Sequence, residues 1–275
     1  MHNIFCFSDV HGQRLLYDSI IKYCYEQDPE CSIIFLGDAC DRGPDGYQIM
    51  KELLDNPQVI YLKGNHEDLF VQAAYQIKDK FSFKNSTEEQ VNNTLKSTLM
   101  FEYKYEKIQL ALINGAMDTL ADWIMDGMPM DFVEKIDNLP YTFSYEHYDF
   151  CHAGGVYPTF ERVSECEYYQ KPIDKNDAKS LLWDRNSFSY GWAPGRTLVH
   201  GHTPTPELLK FLGKLNLTVK PYKYCGIFDP YYTGDKIDID TGVAFTNKIY
   251  VLNILTSKAQ GFELKRNQVR KIKEI

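Results

Sequence analysis

The stretch IIFLGDACDRGPDG, residues 33–46, joins an apolar run to a cluster of charge. Ile33, Ile34, Phe35 and Leu36 have the length and composition of a buried strand. Directly after Gly37 come Asp38, Asp41, Arg42 and Asp45, interleaved with Gly43 and Pro44. A core strand that ends in so much charge suits a parallel α/β sheet, whose ligand sites lie in the crevice beyond the carboxyl ends of the strands.

The same arrangement recurs on either side. Ile4 to Phe7 runs into Ser8-Asp9-Val10-His11-Gly12, and Val59 to Leu62 leads into Gly64-Asn65-His66-Glu67. Tyr148 to Cys151 delivers His152-Ala153-Gly154-Gly155, and Thr197 to Val199 delivers His200-Gly201-His202-Thr203-Pro204. Singly, each has an ordinary explanation: a D-x-H-G turn is most often a capped loop, and a lone His152 a hydrogen-bonded core histidine. Repetition at five strand ends points to one shared site.

Helical spacing of Leu15, Leu16, Ile20 and Ile21 predicts a helix from Gln13 to Gln27. Further helices are expected over Tyr47 to Leu54 and after Asn65, with strands at Lys236 to Ile239 and Ile249 to Leu255. This alternation gives an α/β class. From about residue 71 to 138 the pattern turns helical, through the polar KNSTEEQVNNTLKST (84–98) and the apolar TLADWIMDGM (119–128). A helical insertion that overhangs the site is expected there. The tail from Lys258, with Lys265, Arg266, Arg270, Lys271 and Lys273, reads as a solvated terminal face.

At 275 residues, 44% hydrophobic and 14% aromatic, the chain is read as one globular domain over residues 1–275. Its net charge of −8 argues against a surface that coats nucleic acid, so an anionic substrate needs a local positive potential. Seven cysteines without a CxxC pair read as reduced thiols. Without a basic leader region, or an apolar run near the roughly 18 residues of a membrane helix, a cytoplasmic location is expected.

Carboxylate, imidazole and amide donors without thiolate suit manganese, iron, zinc or cobalt. A bridging carboxylate sets two such ions about 3.5–4 Å apart, where together they activate one water. They also supply the positive potential that a phosphate needs.

SDVHG (8–12), GDACDRG (37–43), GNHE (64–67), CHAG (151–154) and GHTP (201–204), in this order, resemble the signature blocks of calcineurin-like metallophosphoesterases. More narrowly they resemble the phosphoprotein-phosphatase branch, to which INGAMDTL (113–120), LLWDRNSF (181–188) and IDTGVAF (239–245) are also similar. The resemblance implies two mixed β-sheets packed as a sandwich and flanked by helices. It implies that Asp9 and His11 hold a first divalent ion, that Asp38 bridges, and that Asn65, His152 and His202 hold a second. Manganese is the foremost candidate. His66 would be the general acid, with Asp41 orienting its ring; Arg42, Arg185 and Asn65 would bind the phosphate, the arginines through their fork geometry. The implied reaction is in-line attack by a metal-bridging hydroxide without a phosphoenzyme.

Alternatives stay open at this level. Arg42 has a possible surface partner in Asp45, and Arg185 in Asp184. His200 is read as structural, Glu67 as a first-turn residue on the positive end of a helix, and Asn114 as relevant only if the insertion folds back. Ser8 stands where the family usually has glycine. The expected substrate is a protein carrying phosphoserine or phosphothreonine. A dinucleoside tetraphosphate, its base stacked on Tyr168, Tyr169, Tyr231 or Tyr232, is the alternative, and a non-catalytic binding scaffold comes last.

Overall fold

In the computed structural model, the described residues are 2–101, 104–155, 175–185, 192–205, 207–208, 229–232 and 234–275. In chain order the strands are β1 (Ile4–Phe7), β2 (Ser32–Phe35), β3 (Val59–Tyr61), β4 (Thr142–Tyr145), β5 (Tyr148–Cys151), β6 (Thr197–His200), β7 (Tyr231–Tyr232), β8 (Lys236–Asp238), β9 (Lys248–Asn253), β10 (Lys258–Lys265) and β11 (Gln268–Glu274). The helices are α1 (Arg14–Gln27), α2 (Gly46–Asp55), α3 (Asn65–Lys80), α4 (Glu88–Thr98), α5 (Glu106–Ile113), α6 (Met117–Met125), α7 (Met130–Asp137), α8 (Lys175–Trp183) and a single turn, α9 (Val243–Thr246).

The strands form two mixed sheets, ordered β11-β10-β9-β1-β2-β3 and β4-β5-β6-β8-β7. β1, β2 and β3 run parallel, with Phe5 opposite Ile33, Cys6 opposite Ile34 and Phe7 opposite Phe35. Alternate residues of these strands serve two cores. Cys6, Ile34, Tyr250 and Leu252 meet Phe150, Val199 and Ile237 of the other sheet, which makes the sandwich. Phe5, Phe7, Ile33 and Phe35 face the helices on the opposite side. Burial on both faces is why IFCF and IIF read as unbroken apolar runs. Each fully buried Ile or Phe contributes about 1.5–3 kcal/mol.

Residues 71–138 hold the rest of α3 together with α4–α7. The polar α4 is a helix because Thr87 and Gln90 cap one another, Oγ1 accepting from Gln90 N at 3.3 Å and Oε1 from Thr87 N at 2.9 Å. Val91, Leu95 and Thr98 form its buried stripe. Trp123 of α6 and Phe132 of α7 pack on Phe70 of α3, with ring centroids 5.8 and 5.9 Å away.

The tail differs from expectation. Residues 258–274 form a hairpin that extends the first sheet, turning at Arg266 and Asn267, both left-handed as a two-residue hairpin turn requires. Its basic side chains are exposed as expected, while Ala259, Phe262 and Ile275 are buried and fix the strand. Cys6, Cys24, Cys31, Cys40 and Cys151 are free and buried. Among the described residues no helix is long and apolar enough to cross a membrane.

Candidate functional site

The loops after β1, β2 and β3 are laced together by their backbones. Asp9 N donates to Gly37 O at 3.0 Å, His11 N to Asp38 O at 3.0 Å and Gly12 N to Ala39 O at 2.8 Å. Asp9, His11, Asp38, Asp41, Arg42 and His202 all have φ between 45° and 68°. Left-handed backbone at residues other than glycine is costly, and its concentration at these positions marks a site held by its surroundings.

Asn65, His66 and Glu67 open α3, so the positive end of this helix faces Asp38, whose Oδ1 accepts from His66 N at 3.0 Å. β5 brings in His152, and the turn after β6 brings in His202. His152 Nε2 and His202 Nδ1 each lie 2.8 Å from Asn65 Oδ1, and His152 Nε2 lies 3.4 Å from Asp38 Oδ1. The other Asp38 oxygen lies 3.7 Å from His11 Nε2 and 3.8 Å from His66 Nε2, and His11 Nε2 is 4.0 Å from Asp9 Oδ1. Two triads result, His11–Asp38–His66 and Asp38–His152–His202, each with ligand atoms within 4.8 Å of one another and with Asp38 in both.

This donor set fits divalent cations. His11 Nδ1 donates to Cys40 O at 3.0 Å and His152 Nδ1 to Leu36 O at 2.8 Å, which fixes the tautomer and turns the Nε2 lone pairs inward. His202 Nε2 is buried without a hydrogen-bond partner among the described residues. Burial and the neighbouring positive charges hold His11, His66 and His202 well below the usual histidine range, and for His11 and His202 the neutral form is the one that can bind a metal. Burial, with Asp9 and Glu67 nearby, pushes Asp38 well above the usual carboxylate range. A cation against that carboxylate offsets the penalty.

His66 Nδ1 donates to Asp41 Oδ2 at 2.7 Å. Burial pushes Asp41 up to about 7, against the lowering influence of the Thr119 and Cys40 side chains and the charge of Arg42. The Arg42 guanidinium donates to His11 Nε2 and to His66 Nε2, both at 2.9 Å, so it reaches into the cluster and not to a surface partner. Arg42 is itself exposed while the clustered Asp, Asn and His side chains are buried, which places it at the mouth.

Arg185 sits just beyond α8, exposed and paired with Glu207 at 2.9 Å. It lies close enough to His202 to help lower that pKa, and Trp183 meets the His202 ring edge-on at 5.8 Å. Asn114 caps its own helix by donating to Leu110 O at 2.8 Å, yet the next residue returns to the site, Gly115 O accepting from Arg42 N at 3.0 Å. His200 is buried, its Nδ1 3.1 Å from Gly201 O, and burial lowers it to about 3. Tyr168, Tyr169 and residues 186–188 lie outside the described residues. Tyr231 and Tyr232 are buried in β7, and Tyr232 belongs to the inter-sheet core, so a base cannot stack on them.

Glu67 does more than its place in the first turn suggests. Its Oε2 accepts from Asp38 N at 2.7 Å and Gly64 N at 2.8 Å, and its Oε1 from Ala39 N at 2.7 Å and Tyr61 Oη at 2.8 Å. It therefore ties the loop after β2 to the start of α3. Ser8 is absent from the left-handed residues, so nothing in its backbone calls for glycine, and its hydroxyl donates to Asp9 Oδ2. The close approach is met instead by Gly201, where an added Cβ would overlap Asp9 Oδ2 and Ser8 Oγ. Asp238 and Asp240 are buried near Asp9, whose charge adds to the burial that raises both. The IDTGVAF block contains Asp240, but only the fold brings it to Asp9.

Residues 2–219 match the family model of the calcineurin-like phosphoesterases. A relative, the asymmetrical bis(5'-nucleosyl)-tetraphosphatase PrpE of Oceanobacillus iheyensis, is 24% identical over 260 residues, which cover 88% of this chain and 84% of that protein. The solved metallophosphoesterase from Sphaerobacter thermophilus aligns with 99% of this chain and 88% of its own at a TM-score of 0.50 and 12% identity. The cold-active protein-tyrosine phosphatase of a psychrophile Shewanella sp. aligns with a TM-score of 0.49 and 14% identity, covering 99% of this chain and 81% of its own. The family match takes in the loops after β1, β2, β3, β5 and β6, and the chain belongs to the calcineurin-like phosphoesterases, metal-dependent hydrolases.

Proposed function

We propose that the chain hydrolyses phosphomonoesters with an alcohol leaving group, phosphoserine and phosphothreonine in proteins, at a centre of two divalent ions. The observation that carries this is the Asp41–His66 pair at 2.7 Å, beside the carboxylate shared by both triads. An alkoxide is a poor leaving group and gains most from a positioned acid. Asp9 and His11 would hold one ion, Asn65, His152 and His202 the other, with Asp38 between them. Such ions, manganese being the first to supply, would lower the pKa of a water and neutralise the phosphate.

Arg42, Arg185 and Asn65 bind the phosphoryl oxygens. Arg42 starts on His66 Nε2, where its charge adds to the burial that lowers the histidine pKa. Its transfer to the phosphate removes that added charge and frees Nε2 to carry the proton to the leaving oxygen. Asp41 keeps the ring in register through Nδ1. The free buried cysteines support a cytoplasmic setting.

A second reading, hydrolysis of dinucleoside tetraphosphates, is favoured by the likeness to PrpE. Here the leaving group is a phosphate anion, which needs the acid less. Turnover of a phosphoserine peptide, diadenosine tetraphosphate and an aryl phosphate with added manganese separates the two. The peptide is expected to be turned over fastest. Preference for the tetraphosphate supports the second reading, and inactivity on all three across several divalent ions sinks both.

A further inference from the structure

Asp41 and Arg42 are consecutive residues in the left-handed region, with φ of 68° and 64°. Neither is glycine, so the turn is strained and must be held from outside. The restraint comes from the helical insertion. Asp41 N donates to Thr119 Oγ1 at 3.0 Å, and Arg42 N donates to Gly115 O at 3.0 Å. Thr119 is fully buried on α6, and Asp41 Oδ1 is buried without a hydrogen-bond partner among the described residues, so the bond from Asp41 N to the Thr119 hydroxyl is what holds Asp41 from this side. Packing leaves the hydroxyl little room, since an added Cβ on Gly46 would stand 3.0 Å from Thr119 Oγ1 and 2.9 Å from Asp41 N.

We propose that Thr119 is a positioning residue for proton transfer, holding Asp41 so that the imidazole of His66 meets the leaving oxygen. The inference rests on the reading of His66 as the acid. Thr119 touches neither substrate nor metal ligand; its effect passes through Asp41 Oδ2 to His66 Nδ1, 2.7 Å apart. The insertion thereby becomes part of the catalytic apparatus, supplying both backbone anchors of the Asp41-Arg42 turn.

The test uses the manganese-loaded full chain and two leaving groups, p-nitrophenyl phosphate, which needs little protonation, and phenethyl phosphate, which needs it fully. Thr119→Val is expected to lose about 10- to 100-fold in kcat on the alkyl ester, at least about ten times its loss on the aryl ester. Thr119→Ser, which restores the hydroxyl, is expected to recover the alkyl activity to within about threefold. Thr119→Ala replaces Thr119→Val if the latter does not fold. Equal loss on both esters, no loss on either, or failure of Thr119→Ser to recover would overturn the proposal. His66→Asn measured alongside keeps the two readings apart. If His66→Asn itself affects both esters equally, the acid reading falls and this inference with it. If only His66→Asn separates the esters, the role of Thr119 alone is refuted.

Discussion

Replacing Glu67 by Gln exchanges one carboxylate oxygen for an amide where the loop after β2 meets the start of α3. The amide nitrogen must sit at one of two positions. At Oε2 it would face Asp38 N and Gly64 N, two donors that cannot turn away. At Oε1 it would face Ala39 N, while Tyr61 Oη can rotate to accept from it. The second arrangement is cheaper and leaves one buried donor unmet, at about 1–3 kcal/mol. The remaining bonds lose their charge-assisted strength, adding about 1–2 kcal/mol. Relief of the repulsion that Glu67 exerts on Asp38 offsets part of this. A net loss of about 2–4 kcal/mol lowers Tm by about 4–8 °C in a chain of this size. Thermal unfolding of the metal-free protein with a chelator present measures it. A Tm within about 2 °C of wild type would refute the reasoning that Glu67 is the clasp.

Asp41 at about 7, against an ordinary 3.8, keeps a proton in the fold that the unfolded chain has released between those values. Its contribution to the stability of the metal-free protein is therefore lost as pH rises through that window, by up to about 1.4 kcal/mol per unit. Asp41→Asn removes this slope, so its Tm relative to wild type rises from pH 5 to pH 8; a constant difference contradicts the shift. Gly201→Ala drives a methyl into Asp9 Oδ2 and Ser8 Oγ, and is expected to weaken metal binding by about tenfold or more in calorimetric titration. His66→Asn is expected to keep both metal sites on the same titration while losing about 10²- to 10⁴-fold in kcat on alkyl phosphates.

The strand-end packets were legible because an apolar run buried on both faces gives way abruptly to glycine and to Asp, Asn and His. Tyr148–Cys151 is a strand over the residues expected, and Ile4–Phe7 likewise. β10 and β11 were hidden by Lys265, Arg270, Lys271 and Lys273, whose exposed charge masks the buried Ala259 and Phe262. β4 was missed for a related reason, since three of its four residues are only half buried. The tasks of Glu67 and Thr119 have no local signature. Glu67 reaches Asp38 across 29 residues and Thr119 reaches Asp41 across 78, and only the sheet and the folded-back insertion close those gaps.

The central claim is that Asp38 lies between two metal sites, one held with Asp9 and His11 and the other with Asn65, His152 and His202. Calorimetric titration of the metal-free chain with manganese, beside His202→Ala, tests it most directly. The account predicts two ions per wild-type chain and one per His202→Ala chain. A single ion in wild type, or two in the variant, would contradict it.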